Sequence, residues 1–174
     1  MDHGRRRGVV GVIRNPETLE SFRGSLPEWV IDAAGIVTTG GDYLVVVAIA
    51  VGLWLVAERD RGPWPVVAVL GAIGLTTLLK NALGLPRPPV AEIGGYGFPS
   101  GHALGATVAY GLVARHLDIG SVRLRTVLAA LVVATIAASR VVIGVHYPSD
   151  VIVGVGLGLV YLAGVERLVA RWSA

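Results

Sequence analysis

Residues 64–83 read WPVVAVLGAIGLTTLLKNAL, an apolar run whose single ionisable side chain, Lys80, stands near its end. A hydrocarbon core about 30 Å thick is crossed by a helix of about 20 mostly apolar residues. The run has that length and character, so it is expected to cross a membrane as an α-helix. Gly84 follows as a candidate C-cap, and Leu85-Pro-Arg-Pro-Pro cannot continue the helix, because proline lacks the N–H and clashes with the preceding turn.

Four further stretches read the same way, at 35–57, 101–117, 125–139 and 149–168. The first is strongest from Tyr43 onward and ends at Glu58-Arg-Asp-Arg-Gly-Pro. The stretch 101–117 is the weakest, since His102, Arg115 and His116 lie at its ends. Over 174 residues, hydrophobic side chains make up 53% and charged ones 16%, against about 25% charged in average soluble domains. A soluble domain this small could not cover so much apolar surface, whereas a bilayer could. The expected fold is all-α, a polytopic transmembrane helix bundle of about five spans. Gly101-xxx-Gly105 and Gly154-xxx-Gly158 lie in these spans, where small residues let helices approach closely.

Residues 1–28 are polar and mixed in charge, and the transmembrane domain is expected over 29–174. Asn15-Pro16-Glu17 is a helix start, with proline in the first turn and Glu17 and Glu20 near the positive end of the dipole. Leu19, Phe22 and Leu26 fall at helical spacing, which predicts a short amphipathic helix on the membrane surface. The start Met1-Asp-His-Gly-Arg-Arg-Arg is basic but no apolar run follows directly, so a cleaved signal peptide is not expected. Cysteine is absent, which excludes disulfides, thiolate metal sites and a cysteine nucleophile. A net charge of +3 suits nucleic acid in principle. Most arginines, however, flank apolar blocks, as charges at a membrane surface do, so the expected partner is the bilayer and not a nucleic acid.

Ionisable groups beside membrane spans are costly and usually carry a function or a partner. Here they form three clusters at span ends. In the first, Lys80 closes the second span and Arg87 lies just beyond; alone, these read as a snorkelling lysine and a loop arginine. The second is Phe98-Pro-Ser-Gly-His102. Ser100 suits a helix cap, and the same geometry aims free N–H groups and the helix dipole at an anion. His102 beside it adds a proton donor that the capping reading leaves unexplained. The third runs from Ser139-Arg140 to His146-Tyr-Pro-Ser-Asp150. His146 and Asp150 are four residues apart, so if the turn between them is helical the carboxylate can hold one ring nitrogen and leave the other's lone pair free, as a base or nucleophile requires. Tracing the spans puts all three clusters on one membrane face. Three cations, two histidines and one carboxylate suit an oxyanion with a difficult leaving group, and hence phosphoryl transfer.

The chain resembles the type 2 phosphatidic acid phosphatases, also called lipid phosphate phosphatases. The resemblance rests on Lys80, Arg87 and Pro88; on Pro99, Ser100, Gly101 and His102; and on Ser139, Arg140, His146 and Asp150, in the family's order and spacing. It implies that His146 attacks phosphorus to form a phosphohistidine, oriented by Asp150. It implies that His102 protonates the leaving group and then activates water. Lys80, Arg87, Arg140, Ser100 and the N–H of Gly101 would hold the phosphoryl oxygens, with no metal and no other cofactor. Many family members have six spans, where this chain reads as five with an amphipathic segment before them.

The face opposite the motifs carries Arg59, Arg61, Arg115, Arg123, Arg125, Arg167 and Arg171. The positive-inside tendency makes that face cytoplasmic and turns the site outward from a cell membrane. The run Arg5-Arg6-Arg7 counts the other way if the N-terminus lies on the motif face. The expected substrate is a lipid phosphate: a polyprenyl diphosphate, phosphatidic acid or phosphatidylglycerophosphate. The alternatives are a lipid phosphotransferase with the same signature and a non-catalytic lipid- or anion-binding membrane protein. Vanadate-dependent haloperoxidases share the signature but resemble larger, soluble proteins.

Overall fold

The structure, a computed structural model, describes residues 14–172, so the arginine run at 5–7 lies outside the described residues. Among the described residues seven α-helices follow in order: α1 Pro16–Gly24, α2 Glu28–Val37, α3 Tyr43–Ala57, α4 Trp64–Leu83, α5 Gly101–His116, α6 Val122–Val142 and α7 Pro148–Trp172. A 3-10 turn, Thr38–Gly41, joins α2 to α3, and another, Arg59–Arg61, precedes α4. Among the described residues the only β-type pairing is an isolated bridge between Pro86 and Tyr96. The fold is all-α, as the sequence implies.

Local chemistry sets the helix ends. The Asn15 side chain accepts the N–H groups of Glu17 and Thr18, with Pro16 in the first turn. Gly84 closes α4 in the left-handed region, at φ 61°, where glycine carries no Cβ penalty. Ser100 and Ser121 cap α5 and α6 through their hydroxyls.

Helix α5 is the hub. Leu104, Val108, Ala109 and Leu112 on it meet Val46, Ala50 and Leu53 of α3, Ala68, Val69 and Ala72 of α4, and Leu162 of α7. Its other side packs on Val133 and Ile136 of α6. The glycines of α7 make this closeness feasible. A Cβ on Gly154 would stand 2.7 Å from the Ser100 carbonyl oxygen, and one on Gly158 2.7 Å from Thr107 Cβ. The outer faces of α4, α6 and α7 expose Leu78, Leu128, Leu131, Ile152 and Val160, an apolar exterior of the kind that lipid covers.

Among the described residues the expected count of about five spans is approximate. Helices α4, α6 and α7 are long and apolar enough to cross a membrane, and a fourth crossing arises only if the bent pair Glu28–Gly41 and Tyr43–Ala57 counts as one broken span. The stretch 35–57 is therefore not one straight helix. Its two halves meet at 45°, because Thr38-Thr-Gly-Gly-Asp offers weak helix formers at the break. The stretch 101–117 gives α5, with 16 residues. At about 1.5 Å per residue such a helix falls short of a bilayer core. Being sheathed by α3, α4, α6 and α7, it meets protein where the other helices meet lipid, so lipid thickness does not dictate its length. The surrounding helices also run longer than their sequence expectation, α6 to Val122–Val142 and α7 to Pro148–Trp172.

Candidate active site

Helix α6 ends at Val142, and Gly144, at φ 79°, turns the chain so that His146 points inward before Pro148 starts α7. His146 is 1% exposed and Asp150 not at all. The Asp150 carboxylate takes the Tyr147 N–H at 3.1 Å and lies 3.3 Å from His146 Nδ1. Its other oxygen accepts from the Ser149 hydroxyl and pairs with Arg14, whose guanidinium also lies 4.6 Å from the centre of the Tyr147 ring. The Asp150 carbonyl accepts the Ser100 N–H at 3.0 Å, which stitches the start of α7 to the start of α5.

On the far side of the imidazole, one Arg87 nitrogen stands 3.3 Å from His146 Nε2 and donates to the Val145 carbonyl at 3.1 Å. A guanidinium only donates, so Nε2 is the acceptor and Nδ1 carries the hydrogen toward Asp150. Burial pulls the His146 pKa down to about 4, with the Arg87 and Arg140 charges acting the same way against Asp150. The ring is therefore neutral at neutral pH. Burial also draws the Arg87 pKa below its ordinary value, opposed by Asp150 and Tyr43.

Arg140, near the end of α6, is buried and donates to the Thr38 hydroxyl at 2.7 Å. Its Nε is buried and has no hydrogen-bond partner among the described residues. Lys80, near the end of α4, lies within electrostatic reach of Arg87, Arg140 and Asp150. Ser100 is fully buried, and its hydroxyl accepts the Ala103 N–H, so the capping reading of this serine holds. A Cβ on Gly101 would stand 2.5 Å from the Tyr43 hydroxyl and 3.1 Å from Thr76 Cγ2, which leaves no room for a side chain there. His102 holds its Nε2 2.7 Å from the Asp42 carboxylate.

The structure thus brings Lys80, Arg87, Ser100, Gly101, His102, Arg140, His146 and Asp150 to one end of the bundle. It also brings Thr38, Asp42, Tyr43 and Arg14, which the sequence reading does not single out. An acid inside the apolar stretch 35–57 is a signal for Asp42; Arg14 offers none. Among the described residues no three or more His, Asp or Glu side chains are arranged to hold a metal ion.

The family model of the PAP2 superfamily matches residues 62–173, and so takes in every residue of the three clusters. The chain belongs to the PAP2 superfamily. It is similar to phosphatidylglycerophosphatase B of Bacillus subtilis, with 31% identity over 112 residues covering 57% of this chain and 55% of that protein. It is also similar to decaprenylphosphoryl-5-phosphoribose phosphatase of Mycobacterium tuberculosis, with 36% identity over 110 residues covering 58% of each. The chain thus spans a little over half the length of these PAP2-like relatives. Among solved structures, the transmembrane PAP2-type phosphatidylglycerolphosphate phosphatase of Bacillus subtilis superposes with a TM-score of 0.73 at 24% identity, covering 95% of this chain and 89% of that one. LpxE of Aquifex aeolicus gives 0.66 at 21%, covering 87% and 93%. At these identities the likeness bears on the fold, which is that of the membrane PAP2 phosphatases.

Proposed function

We propose that this PAP2 superfamily member is an integral-membrane phosphatase that hydrolyses a phosphomonoester or diphosphate of a lipid through a phosphohistidine at His146. One observation carries the reading. A neutral histidine, held by a buried carboxylate at Nδ1, turns its Nε2 lone pair toward Arg87 beside Lys80 and Arg140. The buried, unpartnered Nε of Arg140 is the kind of donor an oxyanion satisfies.

In the first step the Nε2 lone pair of His146 forms an N–P bond while the bond from phosphorus to the lipid oxygen breaks. His102 gives that oxygen a proton. In the second, His102 takes a proton from water, the resulting hydroxide attacks phosphorus, and the N–P bond breaks to release phosphate. Arg87 exchanges its contact with Nε2 for a phosphoryl oxygen, and Arg140, Lys80 and the N–H of Gly101 take the others. Ser100 fixes the start of α5, so its part in binding is to aim that N–H. Phosphoryl transfer depends mostly on such positioning and charge neutralisation.

A site at the ends of spans receives an amphiphile whose headgroup lies at the surface and whose chain stays in the bilayer. Both named relatives are phosphatases of phosphorylated lipids by name, which supports a lipid substrate here. The arginines at the other end of the bundle support a cell-membrane protein with its site on the extracytoplasmic face. The test is phosphate release by purified protein from a panel of polyprenyl diphosphate, phosphatidic acid and phosphatidylglycerophosphate, with excess chelator present. Release from at least one lipid is expected. No release from any, or a strict requirement for restored magnesium, contradicts the proposal.

A further inference from the structure

The break in the first span does more than bend a helix. Its residues contact each part of the site that the three sequence clusters leave unsupported. Thr38 accepts from Arg140 at 2.7 Å. Gly41 lies under His102, so that a Cβ there would stand 3.1 Å from His102 Cβ. Tyr43 places its hydroxyl against Gly101. Asp42 sits at the N-cap position of α3 with an extended backbone, the place where an aspartate ordinarily binds the helix's own N–H groups. It makes no such bond. Its carboxylate turns away from α3 to hold His102 Nε2 at 2.7 Å, and it also attracts Arg140. All of this lies upstream of the residues that the family model matches, 62–173.

We propose that Thr38 to Tyr43 is a fourth working segment of the site and that Asp42 is a positioning residue for His102. The proposal rests on the phosphatase reading. In an in-line displacement the leaving oxygen departs on the side away from His146, so the group that protonates it must approach from there. Arg140 lies within electrostatic reach of both histidines, so a phosphoryl group that it binds stands near each. His102 has its Nε2 committed to Asp42, so the proton for the leaving group comes from Nδ1. Asp42 fixes that orientation and stabilises the imidazolium that must form beside Arg140 and Lys80. The arrangement gives each histidine its own carboxylate, Asp150 behind the nucleophile and Asp42 behind the acid.

A leaving-group comparison tests this. An alkyl lipid phosphate needs a proton on its leaving oxygen, whereas para-nitrophenyl phosphate does not. Because His102 also activates water in the second step, kcat falls for both substrates, and kcat/KM, which reads only the first step, decides. Asp42→Asn should lower kcat/KM for the lipid about 30-fold, part of the roughly 10²–10⁴ that a general acid contributes, and change that for the aryl ester less than about threefold. Asp42→Glu should restore part of the lipid rate, and Asp42→Asn should add no further loss to His102→Ala. Equal losses on both substrates, or additive losses in the double variant, would overturn the assignment and leave Asp42 as a tie between α3 and α5. Wild-type protein inactive on every lipid phosphate would instead defeat the phosphatase reading itself. Thermal unfolding of each variant in detergent separates misfolding from either outcome.

Discussion

Histidines paired with carboxylates stand at both ends of the bundle, and they are wired differently. At the site end, His146 gives one ring nitrogen to Asp150 and His102 gives one to Asp42, each keeping the other nitrogen for a reacting atom. At the opposite end, His116 faces Glu58 at 3.0 Å through Nδ1 and Glu166 at 2.9 Å through Nε2. The Trp64 indole donates to Glu58 at 3.1 Å and packs edge-on to the imidazole at 4.9 Å. Burial opposes ionisation of Glu58, yet the Trp64 N–H and the His116 and Arg61 charges together hold its carboxyl below the ordinary value. With both nitrogens committed to carboxylates, His116 has no ring nitrogen left for a reacting atom and ties the loop after α3, the start of α4, α5 and α7 together. What separates the site from the strut is the nitrogen left over, and the cations around it, rather than the residue types.

Substitutions at the two ends should separate just as cleanly. The largest effect belongs to His146→Ala, which should lower lipid-phosphate turnover by roughly four orders of magnitude or more. His116→Gln should leave turnover per folded molecule within about twofold. Next comes Arg140→Ala, expected to cost about 10²–10³ in kcat as a lost oxyanion donor. Arg140→Lys should recover little, because lysine lacks the second donor direction that the buried Nε supplies. In the strut, His116→Ala strands two carboxylates and should lower unfolding stability in detergent by about 3 kcal/mol without touching kcat/KM. Smaller still is the contrast along α7. Gly158→Ala drives a Cβ into Thr107 and should cost about 1–3 kcal/mol, while Gly156→Ala meets nothing and should stay within about 0.5 kcal/mol.

The smallest expected change is one of pH. Because burial lowers the His146 pKa to about 4, the ring stays neutral as pH falls through the ordinary histidine range. A 15N titration should show its Nδ1–H tautomer at pH 5 and protonation only near pH 4. The unfolded chain takes up that proton first, so this group's contribution to stability is present above about pH 6.5 and lost as pH falls from there toward 4. Protonation of His146 near pH 6.5 would remove the difference in wiring between the two ends.

Much of the site is legible from spacing alone. His146 and Asp150 meet across the turn that opens α7, where Asp150 also takes the Tyr147 N–H, and Lys80, Arg87, Ser100 and Arg140 meet because each stands at or just beyond the end of a span on one face. The Gly154 and Gly158 packing is legible for the same reason, as small residues on one helix stripe. Asp42 and Thr38 are not, because their partners lie 60 and 102 residues away and only the bend at 38–42 aims them. Hydropathy sees that stretch as part of one apolar span, since five small or polar residues barely lower its average. It also takes α5 for a lipid-facing helix, because the same apolar residues suit lipid and protein surroundings alike. Local pattern fixes what a segment can bury, and tertiary neighbours decide against what.

The measurement closest to the central claim is trapping of the covalent step. Purified protein mixed briefly with a 32P-labelled lipid phosphate and quenched in base should carry label that survives alkali, is released by acid and maps to the peptide bearing His146. His102→Ala, which loses the proton for the alkyl leaving group, should form it slowly, and His146→Ala should hold none. Phosphate release by His146→Ala at a near-normal rate, or label on another residue, would contradict the account.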